Sequence, residues 1–151
     1  MHLLVIAAVA NACALLTAAD IASVQGEKPA RFRESRRQSI ASRCVIPLPT
    51  AAKSVTVEVT TGAGTMELVK RMRVAAETEG DEAGEQDDAV IALVPGIGDE
   101  AFWAEGVHEG ALYVRRGQTL LRILLGGDES KEARLKKLRL LADKALSRLP
   151  K

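Results

Sequence analysis

Few residues of this chain are equipped for chemistry. His2 and His108 are its only imidazoles, and Cys13 and Cys44 its only thiols. A Ser/His/Asp relay or a metal cluster would draw on that supply alone. His108 stands between Gly106 and Gly110, where a turn carrying a solvated side chain is expected. Cys44 and His108 could make a thiol–imidazole pair, but only with Cys44 reduced. A hydrolase built on His108 would further need a carboxylate and a hydroxyl converging on it. Gly96-Ile97-Gly98-Asp99-Glu100-Ala101 follows an apolar run and matches the spacing of a dinucleotide-binding turn. Asp99 and Glu100 would put carboxylates beside the pyrophosphate, and Gly106 and Gly110 curtail any following helix, so no βαβ unit can be completed. The acidic run Glu79–Asp88 lacks the ligand spacing of a calcium loop. The expectation is a non-catalytic chain with no cofactor and no metal site.

The 151 residues suit one domain with an ordinary core. Hydrophobic residues make up 47% and charged ones 27%, which excludes wholesale disorder. Twenty-one basic and twenty acidic side chains leave a net charge of +1, so overall charge gives no case for nucleic-acid binding. The first nineteen residues carry no formal charge before Asp20 and read as a targeting segment. Ala8-Val9-Ala10 offers a small-x-small cleavage pattern, placing a signal peptide over 1–10 and one domain over 11–151. A later cut near Ala19 would remove Cys13. Against the later cut, Thr17 with Asp20 forms a capping-box pattern, Leu16 and Ile21 a hydrophobic staple, and Gly26 a helix stop. The expected compartment is therefore periplasmic or secreted.

The elements follow from periodicity. Lys28 to Arg43 holds six basic residues and one acid, Glu34. That composition reads as a charge-guarded edge strand or hairpin, or as a patch for phosphate or acidic lipid. Cys44-Val45-Ile46 is a short apolar strand. Val55, Val57 and Val59 alternate with Thr56, Glu58 and Thr60, which describes an antiparallel strand buried on one face. Thr65 is placed as the cap of a helix with a Met66, Val69, Met72 and Ala76 stripe. Ala89–Val94 reads as an interior strand, and Gly96–Trp103 as a tight turn whose Phe102 and Trp103 cover the core. Gly117-Gln118 sets a type II′ hairpin, with Val114 facing Leu121, Leu112 facing Ile123 and Tyr113 facing Arg122. A last helix runs from Asp128 or Ser130 to about Leu149. The sum is an α+β fold, a mainly antiparallel sheet of five or six strands packed against two or three helices.

Cys13-Ala14-Leu15-Leu16-Thr17, the lone Cys44, and Gly96-x-Gly98-Asp99-x-Ala101-Phe102-Trp103 before Leu112-x-Val114-x-x-Gly117 resemble a family of small bacterial envelope proteins and lipoproteins of unknown function. The resemblance covers nearly the whole mature chain. It implies an antiparallel sheet with helices against it, similar to the PsbP-like sandwich, and no catalytic residues. This chain lacks the lipobox and basic leader of the lipoprotein pattern, so membrane anchoring is not carried over.

The functional expectation is a periplasmic or secreted module that binds an envelope component or an unknown envelope or secreted protein. The alternative is a carrier holding a small apolar molecule between sheet and helix near Phe102, Trp103 and Tyr113. In an oxidising compartment Cys13 and Cys44 pair; otherwise Cys13 leaves with the leader or is lipidated and Cys44 stays a buried hydrophobe.

Overall fold

A computed structural model of the chain describes residues 9–78, 90–105 and 110–150. The described residues form strands β1 (Arg33–Arg37), β2 (Ala41–Ile46), β3 (Val55–Thr61), β4 (Val90–Leu93), β5 (Glu100–Glu105), β6 (Ala111–Arg116) and β7 (Thr119–Leu125). The helices are α1 (Ala18–Gln25), α2 (Ala63–Glu77) and α3 (Lys131–Arg148). All seven strands join one sheet in the order β1-β2-β3-β7-β6-β5-β4, and every pairing is antiparallel. None of the described helices is long and apolar enough to cross a membrane. Residues 1–8, 79–89 and 106–109, which include most of the expected leader, the acidic run and His108, lie outside the described residues. Val9 and Ala10, the end of the expected leader, lie inside them, with Val9 buried.

The alternation in β3 sorts as its chemistry requires. Val55, Val57 and Val59 are fully buried and Thr56, Glu58 and Thr60 only partly so. On the same inner face Leu121, Ile123 and Leu125 of β7, Leu112 and Val114 of β6, and Trp103 of β5 extend the core. It is capped by Leu138, Leu141, Ala142 and Ala145 of α3 and by Ile21 of α1. Each such aliphatic side chain contributes about 1.5–3 kcal/mol on burial. The outer face carries a smaller core, Phe102 and Leu120 under Val69 and Met72 of α2.

Helix α1 begins where its capping box predicts. Thr17 Oγ1 accepts from the Asp20 N–H at 3.1 Å, Asp20 Oδ2 accepts from the Thr17 N–H at 2.9 Å, and Gly26 closes the helix at φ +75°. Burial pushes the Asp20 carboxyl up, but the Thr17 N–H and the Arg148 guanidinium outweigh it and hold the carboxyl below its usual range. Arg148 is itself engaged by this contact. It donates to Leu15 O and to Asp20, each at 2.7 Å, clasping the end of α3 to the start of α1.

Three expectations need correction. The sheet has seven strands, because Glu100–Glu105 is a strand and not part of a turn. Its residues Ala101, Phe102 and Trp103 are all buried, since Trp103 faces the inner core while Phe102 lies beneath α2. Cover on both faces removes the alternation that marks a strand. Second, β4 is the terminal strand and not an interior one, with Val90 43% and Leu93 56% exposed. A continuous apolar run reports side-chain type, not place in a sheet. Third, α2 starts at Ala63 after Gly62, so Thr65 lies inside its first turn, buried.

Candidate functional site

The basic segment Lys28–Arg43 becomes a hairpin at the sheet's edge. All five residues of β1 are exposed. Register sorts its charges. Ser35 faces Arg43 and Arg37 faces Ala41 across the β1–β2 pair, while Arg43 faces Glu58 and Ala41 faces Thr60 across β2–β3. Alternate residues of a strand share a face, so Arg33, Ser35, Arg37, Arg43, Glu58 and Thr60 stand on the outer one. Helix α2 packs its apolar side on Phe102 and Leu120, and its Leu68 borders Glu58 and Thr60 of β3, but none of its residues lines the groove over β1 and β2. Ser35, Arg36, Arg37, Ala41, Arg43, Glu58 and Thr60 line a groove of about 330 Å³ there.

The charges on this face are unbalanced. Among the described residues Arg33, Arg37 and Arg43 have no ion pair and no side-chain hydrogen bond. Glu58 lies 3.8 Å from Arg122, whose guanidinium sits 5.6 Å from the centre of the Tyr113 ring. Strand spacing sets Arg33 and Arg37 about 13 Å apart along β1, with Arg43 one strand away and between them. Such a triangle of guanidiniums can donate to several anionic oxygens at once.

The opposite side of the hairpin is fastened down. Cys44 points inward and is disulfide-bonded to Cys13, with Cα atoms 5.0 Å apart. Ser42 Oγ accepts from the Ala12 N–H at 2.9 Å and donates to Glu34 at 3.0 Å. Arg36 donates to Glu34 at 3.2 Å and to Val9 O at 3.1 Å, and the Val9 N–H donates to Ser39 O at 3.0 Å. Glu34 and Arg36 thus serve the fold, and their neighbours Arg33 and Arg37 are left to solvent. The run of arginines looks uniform in one dimension; only register divides it.

Phe102, Trp103 and Tyr113, expected around one ligand, are not gathered about one cavity. Phe102 and Tyr113 are partners on the outer face, whereas Trp103 fills the inner core. Tyr113 borders a dimple of about 120 Å³ with Glu58, Leu68 and Arg122.

A second charge cluster joins α2 to the sheet. Arg73 Nε and Arg115 Nε donate to Glu100 at 3.0 and 2.8 Å, and Arg115 also reaches Asp99 at 3.3 Å. The hydrogen bond from Arg73 holds the Glu100 carboxyl below the usual carboxylate range, against its burial. Every charge here has a partner, so the cluster serves the fold. Among the described residues no group of three or more His, Cys, Asp or Glu side chains gathers to hold a metal.

No family model matches the chain, and neither a curated protein nor a solved structure matches it.

Proposed function

We propose that this chain is a non-catalytic binding module of an oxidising compartment, periplasmic or secreted. Its working surface is the basic outer face of β1, β2 and β3. It engages an anionic partner or envelope component. The observation that carries the reading is the set of three arginines, Arg33, Arg37 and Arg43, exposed on one face without acidic partners among the described residues. Guanidiniums left unpaired on a firmly held hairpin are disposed for an external anion, because little ordering cost remains to be met on binding. The disulfide supports the compartment, since such bonds persist where thiols are not kept reduced. The resemblance of the Cys13–Thr17 and Gly96–Trp103 motifs to small envelope proteins points the same way.

Amide shifts of the ¹⁵N-labelled, disulfide-bonded chain, titrated with heparin or polyglutamate, test this. Shifts should concentrate at 33–43 and 58–60 and vanish in the Arg33→Gln/Arg37→Gln/Arg43→Gln variant. Shifts centred elsewhere, or none, would overturn the assignment.

A further inference from the structure

We infer that two copies of the chain associate through the free edge of β4, pairing that strand antiparallel about a two-fold axis at Ala92, a contact that does not involve the basic face. The two edges of the sheet are unlike. β1 ends it on one side with four charges in five exposed residues, the pattern that discourages pairing. β4 ends it on the other with Val90, Ile91, Ala92 and Leu93, which carry no charge. Among the described residues no strand lies beyond it, and Val90 and Leu93 are exposed.

Hydrogen-bond phase decides which backbone groups are free. β4 pairs with β5 from Val90↔Glu105 to Leu93↔Phe102, and the ladder runs on to Val94, whose N–H donates to the Ala101 carbonyl at 2.9 Å. Bonded residues alternate in an antiparallel ladder, so Val90, Ala92 and Val94 turn their N–H and C=O toward β5, and Ile91 and Leu93 turn theirs outward. Outward groups two residues apart are self-complementary. About a two-fold at Ala92, Ile91 of each copy exchanges a pair of hydrogen bonds with Leu93 of the other, and Pro95, which has no N–H, is not called on. β4 is short, yet it holds both residues that this register uses.

The side chains suit the same register. Leu93 stands beside Phe102 on the outer face, and Ile91 packs on the small core under α2. Pairing lays Ile91 of one copy against the exposed Leu93 of the other and carries that core across the axis. On the inner face Ala92 meets its own copy at the closest approach of the ladder, where a small side chain fits. A head-to-tail contact of β4 with β1 would instead set charges on aliphatic side chains, so the assembly closes as a dimer and does not run on as a fibre.

Analytical ultracentrifugation of the disulfide-bonded chain between about 5 and 500 µM should show a monomer–dimer equilibrium with a dissociation constant of about 10–100 µM, the weak end that so small a contact gives. Leu93→Lys should raise that constant more than about tenfold and leave far-UV circular dichroism unchanged, because the side chain is exposed. Mild oxidation should link two copies of Ala92→Cys, since directly opposed Cα atoms about 4.5 Å apart lie within disulfide reach. Val90→Cys should not link, because its two copies stand about 13 Å apart along the strands. A chain that stays monomeric at about 500 µM, or that grows past the dimer, overturns the inference. So does an unchanged constant in Leu93→Lys, or Ala92→Cys linking no better than Val90→Cys.

Discussion

Replacing Cys13 and Cys44 together by alanine should cost the chain about 3 kcal/mol of stability. The bond spans a sequence separation of 31. Releasing a loop of that length restores denatured-state entropy worth about 3.7 kcal/mol at 25 °C on the chain-entropy model. Two features of the joint adjust the figure. The Ala12–Ser42 hydrogen bond still holds the N-terminal segment to the hairpin without the disulfide, which favours the lower part of the range. Loss of the fully buried Cys44 sulfur acts the other way. Urea unfolding of the oxidised wild type and the double variant reads the difference directly. The midpoint should fall by at least about 1 M, given slopes of roughly 1–3 kcal/mol/M for small proteins. The melting temperature should fall by about 6–12 °C. Wild type treated with a thiol reductant should track the double variant. A loss under about 1 kcal/mol would refute the account, because loop closure would then not be what the bond supplies. An intact mass showing two free thiols in protein from an oxidising compartment would refute it more simply.

Three further perturbations separate local causes. Thr17→Ala removes the α1 cap and should cost about 1–2 kcal/mol, read by urea unfolding. Gly98→Ala should be more damaging, about 2–4 kcal/mol in the same assay, because its Cβ would lie 2.6 Å from Val114 and 2.7 Å from the Arg115 carbonyl, at φ +58°. Acid should weaken the fold through Asp20 and Glu100, both held below their ordinary pKa. Their contribution is complete above the unfolded carboxylate pKa of about 4 and is lost as pH falls through the lower folded values. Urea midpoints of wild type should therefore fall more steeply below about pH 5 than those of the Asp20→Asn/Glu100→Gln variant, and parallel curves would sink the assignment.

Local rules were legible in the sequence. The Thr17–Asp20 box and Gly26 stop act within one helix, and the Gly117-Gln118 turn dictates the Tyr113–Arg122 and Val114–Leu121 pairs by geometry. The pairing of Cys13 with Cys44 was legible from the expected compartment and the count of two thiols. What stayed hidden depends on packing from elsewhere. β5 lost its alternation because α2 covers Phe102 while the inner core takes Trp103. β4 was displaced to the sheet's end by the same strand, which came between it and β6. The basic face was visible as composition only. Which arginines are free depends on the β1–β2–β3 register and on Glu34, which claims Arg36 and leaves Arg33 and Arg37.

The clasp between the two ends of the chain governs when folding can finish. Arg148 meets Leu15 across 133 residues and Gln25 meets Gly126 across 101. The central β3–β7 seam likewise joins Val55 to Leu125. The β1–β3 meander has no cover for its valines until β7 and α3 arrive, so it cannot settle ahead of them. Non-local contacts of this kind place refolding in the millisecond-to-second range, roughly a thousandfold slower than helical bundles, which stopped-flow fluorescence of Trp103 can time. During synthesis at about 5–20 residues per second the domain stays open until α3 emerges. Cys13 and Cys44, by contrast, are both present once the first 44 residues have emerged. The chain stays unclosed until α3 joins the sheet, so α3 acts as the timer that ends its open state.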